Sequence, residues 1–354
     1  MLEDQELVVV RSKVCAILGA GASKDASAAG GPPTNPNFEP PLAKELFGRR
    51  TVFTSGAAAP YRGVRVLASE LGELGGTSLE AKLVEFARDP RPHVRRYFRQ
   101  VPPYLRDLLL NVSVNYTKGS PGNHVRLALN LLKEHEVAFF DLNYDDYLER
   151  ALPECDPSLV ISNLLDYVQA GRQAIVGKVR GSINWGTPIG EGPNVGSDEL
   201  FASYETLLEM NGFDPLVPCK ELIFAPNGAP TLAWRGQDGR QLYPVLTAPL
   251  AGKDHTALVC PKGHLEALAK FLAECTHYLV IGTSGLDDDL LGFLSDYVRS
   301  VVLVHYVNLK DGGACQGNFQ KGVPSFAKAH HSVDYDDGLR LYLGSQQFRD
   351  FLTA

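Results

Sequence analysis

The sequence predicts an α/β fold built on a doubly wound parallel sheet, with a helical insertion and a second, irregular insertion. Apolar runs of strand length recur at residues 14–18, 136–141 and 278–281. Segments with helical spacing separate these runs, and strands that alternate with helices are typical of parallel sheets. Each run ends in a glycine-rich or polar turn. Turns of this kind are typical of the carboxyl edge of such a sheet, where ligands bind.

The composition is that of a soluble globular chain. Of 354 residues, 44% are hydrophobic and 21% are charged, and the formal net charge is −7. A phosphate backbone favours a basic surface, so direct nucleic-acid binding is disfavoured. The acidic first six residues are unlike a secretory leader, and no apolar run is long enough to cross a bilayer. We therefore expect a cytoplasmic protein without a membrane partner.

The first strand, residues 14–18, leads directly into Gly19-Ala20-Gly21-Ala22-Ser23. Glycines allow a close backbone approach, and the N–H groups of such a turn can face a phosphate. An ordinary strand-to-helix connection has the same appearance, and Lys24 stands where the dinucleotide fingerprint has its third glycine. Residues 26–37 follow as a loop rich in Gly and Pro. We expect this loop to cover a ligand.

Residues 40–135 are predicted to form a helical insertion. Five stretches have helical spacing of apolar residues, namely 42–47, 64–74, 79–88, 94–110 and 125–133. One part of the insertion combines aromatic residues with Arg91, Arg95, Arg96, Arg99 and Arg106. A nucleic-acid or partner surface would have this composition. Because the whole chain is acidic, we interpret these arginines as the solvated flank of a helix.

The second strand, residues 136–141, runs into Asn143-Tyr144-Asp145-Asp146. In a parallel sheet these polar side chains lie at the carboxyl edge. A helix begins at about residue 147, and either Asp145 or Asp146 could cap it. Capping explains one aspartate but does not explain Asn143.

The rest of the chain continues the alternation. A third strand at 174–179 precedes Arg180-Gly181-Ser182, and residues 187–245 read as an irregular insertion or a small antiparallel subdomain. The elements that follow are an extended segment at 243–250, a helix at 265–274, a strand at 278–281 ending in Gly282-Thr283-Ser284, a helix from 290, and a strand at 301–307 ending at Asn308. We predict a Rossmann-like core from residues 1–39, 136–186 and 246–354, with insertions at 40–135 and 187–245.

Four turns therefore follow predicted strands, at residues 19–23, 143–145, 282–284 and 308–310. In a doubly wound sheet they open on the same edge, which indicates a nucleotide site. Four motifs, namely Gly19–Ser23, Asn143–Asp146, Lys178–Ser182 and Ile281–Ser284, occur in an order that resembles the sirtuin superfamily. The resemblance spans residues 14–310. It is greatest to the bacterial sirtuin-like branch, whose members often act as NAD hydrolases in defence against phage.

The resemblance implies a role for each motif. NAD would be the ligand, and its pyrophosphate would lie against Gly19, Ala20, Gly21, Ala22 and Ser23. The loop through Thr34 would fold over the nicotinamide side. Asn143 would face the nicotinamide ribose, with Asp145 close by. The adenosine half would be held by Gly282, Thr283, Ser284 and Asn308.

Two features depart from the family pattern. None of the six cysteines forms a C-x-x-C pair, so the zinc module of sirtuin deacetylases is not expected and protein deacetylation is disfavoured. Arg180 stands where the family motif has a catalytic histidine, and arginine cannot accept a proton near neutral pH.

Three interpretations of Arg180 stay open. The chain could bind NAD or ADP-ribose without catalysis, Arg180 gripping a phosphate or carboxylate. It could instead hydrolyse NAD without a histidine base, because water needs less activation than a ribose hydroxyl. In the third interpretation another histidine enters the site, the candidates being His124, His135, His255 and His264.

The resemblance therefore implies an NAD hydrolase that cleaves the nicotinamide–ribose bond as an effector of anti-phage defence. The catalytic set would be Asn143, Asp145 and the substituted Arg180. The alternative is an inactive NAD or ADP-ribose sensor or assembly subunit, and ADP-ribosyl transfer to a protein is a third option. By analogy with the family, we also expect a homo-oligomer that works with a defence-system partner protein.

Overall fold

The computed structural model describes residues 11–26, 38–42, 45–48, 56–71, 79–117, 120–191, 200–214, 219, 221–226, 228–246, 259–310 and 312–354. The strands of this part are β1 Ser12–Leu18, β2 His135–Asp141, β3 Ala174–Lys178, β4 Gly181–Glu191, β5 Ile223–Phe224, β6 Arg240–Leu246, β7 His277–Ile281, β8 Leu303–Val307 and β9 His331–Tyr335. A further apolar run at residues 7–10, whose composition also predicts a strand, lies outside the described residues.

The main sheet is parallel and has the order β3-β2-β1-β7-β8-β9. From β1 the chain first builds β2 and β3 on one side and then returns to add β7, β8 and β9 on the other. This is the Rossmann-like arrangement, and it places the topological switch point between β1 and β7. The α/β doubly wound fold predicted from the sequence is confirmed.

The residues of the central strands explain their position. Val14 to Leu18 of β1 are fully buried, as are Val137 to Phe140 of β2. Near-continuous apolar runs of this kind are typical of parallel strands covered on both faces. The register also aligns the strand ends, since Leu18 pairs with both Asp141 and Ile281. The turns after β1, β2 and β7 therefore start at one level of the sheet.

Helices surround both sheets. They are α1 Ala20–Lys24, α2 Arg62–Leu71, α3 Leu79–Ala87, α4 Pro92–Phe98, α5 Val101–Thr117, α6 Gly122–Glu134, α7 Tyr147–Cys155, α8 Leu200–Met210, α9 Lys262–Glu274, α10 Asp288–Tyr297, α11 Gly312–Gly322, α12 Gly338–Tyr342 and α13 Gln346–Thr353. Short 3₁₀ turns occupy Pro157–Leu159, Leu164–Val168, Thr231–Ala233 and Phe326–Lys328. Helices α2 to α6 lie between β1 and β2, and most of them share an apolar cluster of their own.

Two expected helices differ from the structure. The stretch 94–110, predicted as a single helix, forms the two helices α4 and α5. Pro102 and Pro103 would break a continuous helix, and they instead lie in the first turn of α5, where a missing N–H breaks no helical hydrogen bond. In the stretch 42–47, the described residues from 45 form a turn. The amide of Gly48 closes it by donating to the Glu45 carbonyl oxygen at 3.0 Å.

The second sheet is antiparallel, with the order β5-β4-β6. Strand β4 begins directly after the corner at Arg180, so the predicted boundary between residues 186 and 187 falls inside a strand. Gly181 has a φ of +90°, and a Cβ there would lie 2.1 Å from the Val245 carbonyl oxygen. Only glycine allows β4 to pair this closely with β6.

Arg106 corrects the interpretation of the basic segment. It is fully buried rather than solvated, whereas the side chain of Arg91 is 62% exposed. The Arg106 guanidinium donates to the carbonyl oxygens of Ile183 and Ala229, both at 2.9 Å, and stacks 3.7 Å from the centre of the Trp234 ring. Arg106 therefore joins the helical segment to the antiparallel sheet.

Candidate functional site

The loops that follow β1 and β7 are in direct contact at the switch point. The amide of Gly19 donates to the Ile281 carbonyl oxygen at 2.8 Å, and the amide of Gly21 donates to that of Gly282 at 2.9 Å. A Cβ on Gly21 would lie 2.6 Å from the Gly282 Cα, and Gly282 has a φ of +64°. Glycine is required at both positions because the two backbones meet without space for a side chain.

This contact also engages the backbone amides of the turn. Besides Gly19 and Gly21, Ala22 also has its amide engaged, donating to the Gly19 carbonyl oxygen at 2.9 Å. These three N–H groups donate to carbonyl oxygens of the protein. Helix α1, which follows, has only five residues. The assignment of residues 19–23, including Ala20, to a pyrophosphate stays a prediction.

Three buried polar side chains meet beside this contact. The Asn143 side-chain amide donates to the Gly19 carbonyl oxygen at 3.0 Å, and the Ser23 hydroxyl donates to Asp145 Oδ2 at 2.5 Å. Less than a tenth of each residue is exposed. The turns after β1 and β2, which are separated by more than a hundred residues, are thus joined through their side chains.

The two aspartates before α7 have different partners. Asp145 Oδ1 accepts the Tyr147 amide at 3.3 Å. Asp146 holds the N-cap position without a capping hydrogen bond, and its carboxylate instead accepts the Ser113 hydroxyl at 2.5 Å and lies 3.1 Å from Arg150 Nε. Asp145 therefore links the start of α7 to the turn after β1.

Arg180 pairs with carboxylates of the chain itself. Its Nε donates to Asp287 Oδ2 at 3.1 Å, a second nitrogen also binds Asp287, and Nη1 lies 3.5 Å from Asp289 Oδ2. Burial lowers the pKa of Arg180, the two carboxylates raise it, and the net shift is upward. Asp287 in turn caps α10 by accepting the Leu290 amide at 3.0 Å. Arg180 thus ties the corner before β4 to the start of α10.

Lys178, Asp141 and Glu149 form a buried charge cluster next to the turn after β2, and no sequence motif indicated it. Fully buried Lys178 is 2.9 Å from Asp141 Oδ2 and 3.7 Å from Glu149 Oε2, and it donates to the backbone oxygen of Asp145. Burial raises the pKa of Asp141 to about 7 against the opposing effect of Lys178, and burial also raises the pKa of Glu149. The signal available in the sequence was a lysine and an aspartate ending adjacent buried strands.

The remaining predicted residues lie at the same edge of the sheet. The Gly282 amide donates to the Val307 carbonyl oxygen at 2.8 Å, which joins the turns after β7 and β8. Thr283 Oγ1 accepts the Gly285 amide at 3.3 Å, and the Ser284 backbone oxygen accepts Asn318 Nδ2 at 2.9 Å. The Asn308 backbone is held by β9 and α12 through Tyr335 and Gly338. Thr34 lies outside the described residues.

The histidines proposed as replacement bases are mostly structural. His135 begins β2, at the opposite end of the sheet from the turns. His124 is buried against Tyr147, and burial together with the charges of Lys178 and Arg150 lowers its pKa to about 3. His264 stacks on a tyrosine ring, and burial lowers its pKa. His255 lies outside the described residues.

One cleft lies away from this edge. It is formed by α4, α5 and α8, and its lining includes Tyr61, Gln100, Phe201 and Tyr204. The Gln100 side chain already bridges the Gly63 amide at 2.7 Å and Glu205 at 2.8 Å. The sheet edge is the stronger candidate site because its buried polar groups come from several strand ends.

Across the described ranges, no group of three or more His, Cys, Asp or Glu side chains could hold a metal ion. The expectation that the chain carries no zinc stays a prediction. Within the same ranges no helix is both long and apolar enough to span a bilayer.

Among solved structures, the chain is similar to a triple mutant of a Sir2 homologue in complex with 2'-O-acetyl ADP ribose. The TM-score is 0.45 at 13% sequence identity, and the match covers 98% of this chain and 95% of that chain. No protein-family model matches the chain, and no curated protein matches it. At this level of similarity, an assignment of function has to rest on the residues of the chain.

Proposed function

We propose that the chain is a sirtuin-like NAD-binding protein that hydrolyses the nicotinamide–ribose bond of NAD⁺. The observation that carries the proposal is the meeting of Ser23, Asn143, Asp145 and Gly282 at the switch point of the sheet. Open α/β sheets bind nucleotides at this position. The four strand-end motifs also follow the order that resembles the sirtuin superfamily.

The charge of the edge suits this reaction. Cleavage of the nicotinamide–ribose bond passes through a cationic, oxocarbenium-like sugar, which nearby carboxylates stabilise. The Asp145 carboxylate is held in place by Ser23, and the positive charge of Arg180 is offset by Asp287 and Asp289. In the proposed mechanism Asp145 stabilises the developing charge, and Asn143 orients the ribose and the attacking water. Nicotinamide leaves with the electron pair of the broken bond, and the water that adds to the ribose releases one proton to bulk solvent.

Arg180 takes no proton in this mechanism. Its pKa is raised, so it stays protonated at neutral pH. Water is a less demanding acceptor than a ribose hydroxyl, and hydrolysis therefore tolerates the loss of the histidine that the resemblance implies. Arg180 instead stabilises the site by binding Asp287, the residue that caps α10.

A second candidate function is supported by the same ion pair. A chain that binds NAD or ADP-ribose without cleaving it needs a rigid site but no proton acceptor. Two nitrogens of the Arg180 guanidinium bind Asp287, and this ion pair holds the side chain of Arg180 rigidly. Arg180 stands where the sirtuin motif has its catalytic histidine. In this case the chain is a sensor or an assembly subunit.

The biological setting is proposed from the resemblance. We propose that the chain acts as a cytoplasmic effector of bacterial anti-phage defence, that it forms a homo-oligomer, and that it works with a partner protein of the defence system. NAD, as substrate or as ligand, would be the small molecule recognised.

The test is to incubate the purified protein with NAD⁺ and to measure nicotinamide release. We expect Asn143→Ala and Asp145→Asn each to lower the rate at least about a hundredfold. Asn115→Ala and Asp296→Asn, which alter exposed residues, are matched controls and should keep the wild-type rate.

Three outcomes separate the candidates. Nicotinamide release that depends on Asn143 and Asp145 supports the hydrolase. ADP-ribose binding by calorimetry without nicotinamide release, also in the presence of the partner protein, supports the sensor. If neither is observed, both functions are excluded. Arg180→His provides an independent check. Because the proposed mechanism needs no base and Arg180 holds Asp287, the variant should not exceed the wild-type rate of nicotinamide release, and a rise of about tenfold or more would mean that a base is what the wild type lacks.

A further inference from the structure

We propose that Lys178 is a positioning residue that fixes the turn at residues 142–145 and thereby the side chains of Asn143 and Asp145. The proposal deepens the function above and rests on it for the identity of the ligand. Lys178 belongs to the buried charge cluster and is not expected to touch the ligand itself.

The register of the sheet places Lys178 beside the start of this turn. Lys178 is the last residue of β3 and pairs with Asp141, the last residue of β2. Its ammonium reaches Asp141 Oδ2 at 2.9 Å, and it also donates to the Asp145 backbone oxygen. One buried ammonium therefore contacts the residue before the turn and the residue that ends it.

Asp141 extends this control to Asn143. While Oδ2 accepts from Lys178, Oδ1 accepts the Asn143 amide at 2.9 Å. The backbone of Asn143 is thus held by the same carboxylate that Lys178 orients. Its side chain then reaches the Gly19 carbonyl oxygen, and the Asp145 side chain reaches Ser23. Lys178 acts on both polar groups through the backbone.

Glu149 holds the ammonium from the other side. It lies 3.7 Å from Lys178, and its Oε1 accepts the Tyr167 hydroxyl at 2.9 Å and the Ser182 hydroxyl at 3.2 Å. The Tyr167 oxygen also accepts the indole N–H of Trp185 at 3.2 Å. Buried aromatic residues therefore fix Glu149, and Glu149 limits the movement of Lys178.

Stability alone does not explain this arrangement. Buried ion pairs are often no more stabilising than apolar residues of similar volume, because each charge loses its hydration. A fixed ammonium has a second use, since its donors set the geometry of the oxygens around it. A positioning role and a merely structural role make different predictions when the ammonium is removed without leaving the Asp141 carboxylate unpaired.

The experiment uses the double variant Lys178→Met with Asp141→Asn. The carboxamide keeps an acceptor for the Asn143 amide and removes the charge of Asp141 that Lys178→Met would leave unpaired, while Glu149 keeps its donors Tyr167 and Ser182. Amide hydrogen exchange of peptides covering residues 142–147 and the Kd for ADP-ribose are measured together with the thermal midpoint. Lys262→Met, which removes a lysine whose side chain is 90% exposed, is the matched control.

We expect the double variant to keep a cooperative thermal transition, to exchange residues 142–147 at least about tenfold faster and to bind ADP-ribose at least about tenfold more weakly. The control should change none of these. If residues 142–147 of the double variant exchange their amide hydrogens at the wild-type rate, the positioning role is overturned. If the wild type itself does not bind ADP-ribose, the proposed NAD function fails, while the exchange rates still decide whether Lys178 fixes the turn.

A third variant covers the case in which the double variant does not fold. Glu149→Gln keeps acceptors for Tyr167 and Ser182 and removes one charge that holds the ammonium. We expect exchange in residues 142–147 to rise about two- to threefold. Unchanged exchange in this variant, with the double variant unfolded, assigns Lys178 a structural role and overturns the proposal.

Discussion

Arg106 and Lys178 are both fully buried cations, but their surroundings differ. Arg106 lies between the helical segment and the antiparallel sheet, where it binds two backbone carbonyls and the Trp234 ring. Lys178 lies at the end of β3 among the carboxylates of Asp141 and Glu149. One cation is held mainly by neutral groups and the other by charged groups.

The difference separates a structural cation from one coupled to the candidate site. Burial lowers the pKa of Arg106 to about 10, although the nearby Asp107 opposes the shift. Burial also lowers the pKa of Lys178, but the charges of Asp141, Glu149 and Asp145 outweigh it and raise the value. The Lys178 cluster therefore contains a carboxyl group, that of Asp141, with a pKa raised to about 7. Arg106 is held by carbonyl oxygens and an aromatic ring, which do not titrate.

The largest effect is expected from Arg106→Met. The substitution leaves the carbonyl oxygens of Ile183 and Ala229 without their donor and should lower the free energy of unfolding by about 3 to 5 kcal/mol. Chemical denaturation measures this. Arg65→Met, which alters an exposed arginine, is the control and should leave the midpoint unchanged. A small effect of Arg106→Met would mean that the helical segment and the sheet associate without it.

Double-mutant cycles should give the next largest effect. Lys178→Met with Asp141→Asn should show a coupling energy of about 2 to 3 kcal/mol, because the two charges contact directly in the interior. Arg106→Met with Asp107→Asn should show about 0.5 kcal/mol, since Arg106 depends chiefly on carbonyls and a ring. Equal coupling energies would contradict the distinction between the two cations.

The smallest effect is expected in the pH dependence of Asp141→Asn. Asp141 has a raised pKa of about 7, so the folded state holds its proton more tightly than the unfolded state, and the resulting stability is lost as pH rises through 7. The destabilisation caused by Asp141→Asn should therefore shrink by about 1 kcal/mol between pH 6.5 and 8. Buried histidines contribute equally to both proteins and cancel.

Denaturation at the two pH values measures this change, with Asp296→Asn as the control that should show none. A destabilisation by Asp141→Asn that is the same at both pH values would place the Asp141 pKa outside this range.

Much of the fold could be predicted because its central strands are locally encoded. The runs 14–18, 136–141 and 278–281 are apolar on both faces, and each is a strand in the structure. Strand β9 could not be predicted in this way. It lies at the edge of the sheet, its residues His331–Tyr335 are mostly exposed, and it carries no apolar run. Its place is set by pairing with β8.

The candidate site was only partly predictable. That the turns around Gly19, Asn143 and Gly282 meet follows from the rule that parallel strands open on one edge, and the structure brings these residues together. The partners of Arg180 and Lys178 did not follow from any local pattern. Asp287 is more than a hundred residues from Arg180, and no spacing rule relates them.

The sequence by itself determined the parallel α/β class and the position of the polar turns, because apolar runs and glycines act through local burial and backbone freedom. Only the tertiary structure decided which charges pair. The strand order sets Lys178 beside Asp141, and the packing of α10 sets Arg180 against Asp287. Pairing of this kind depends on distances of a few ångströms between distant segments. These distances are set by the packing of the folded chain and cannot be inferred from the local sequence pattern.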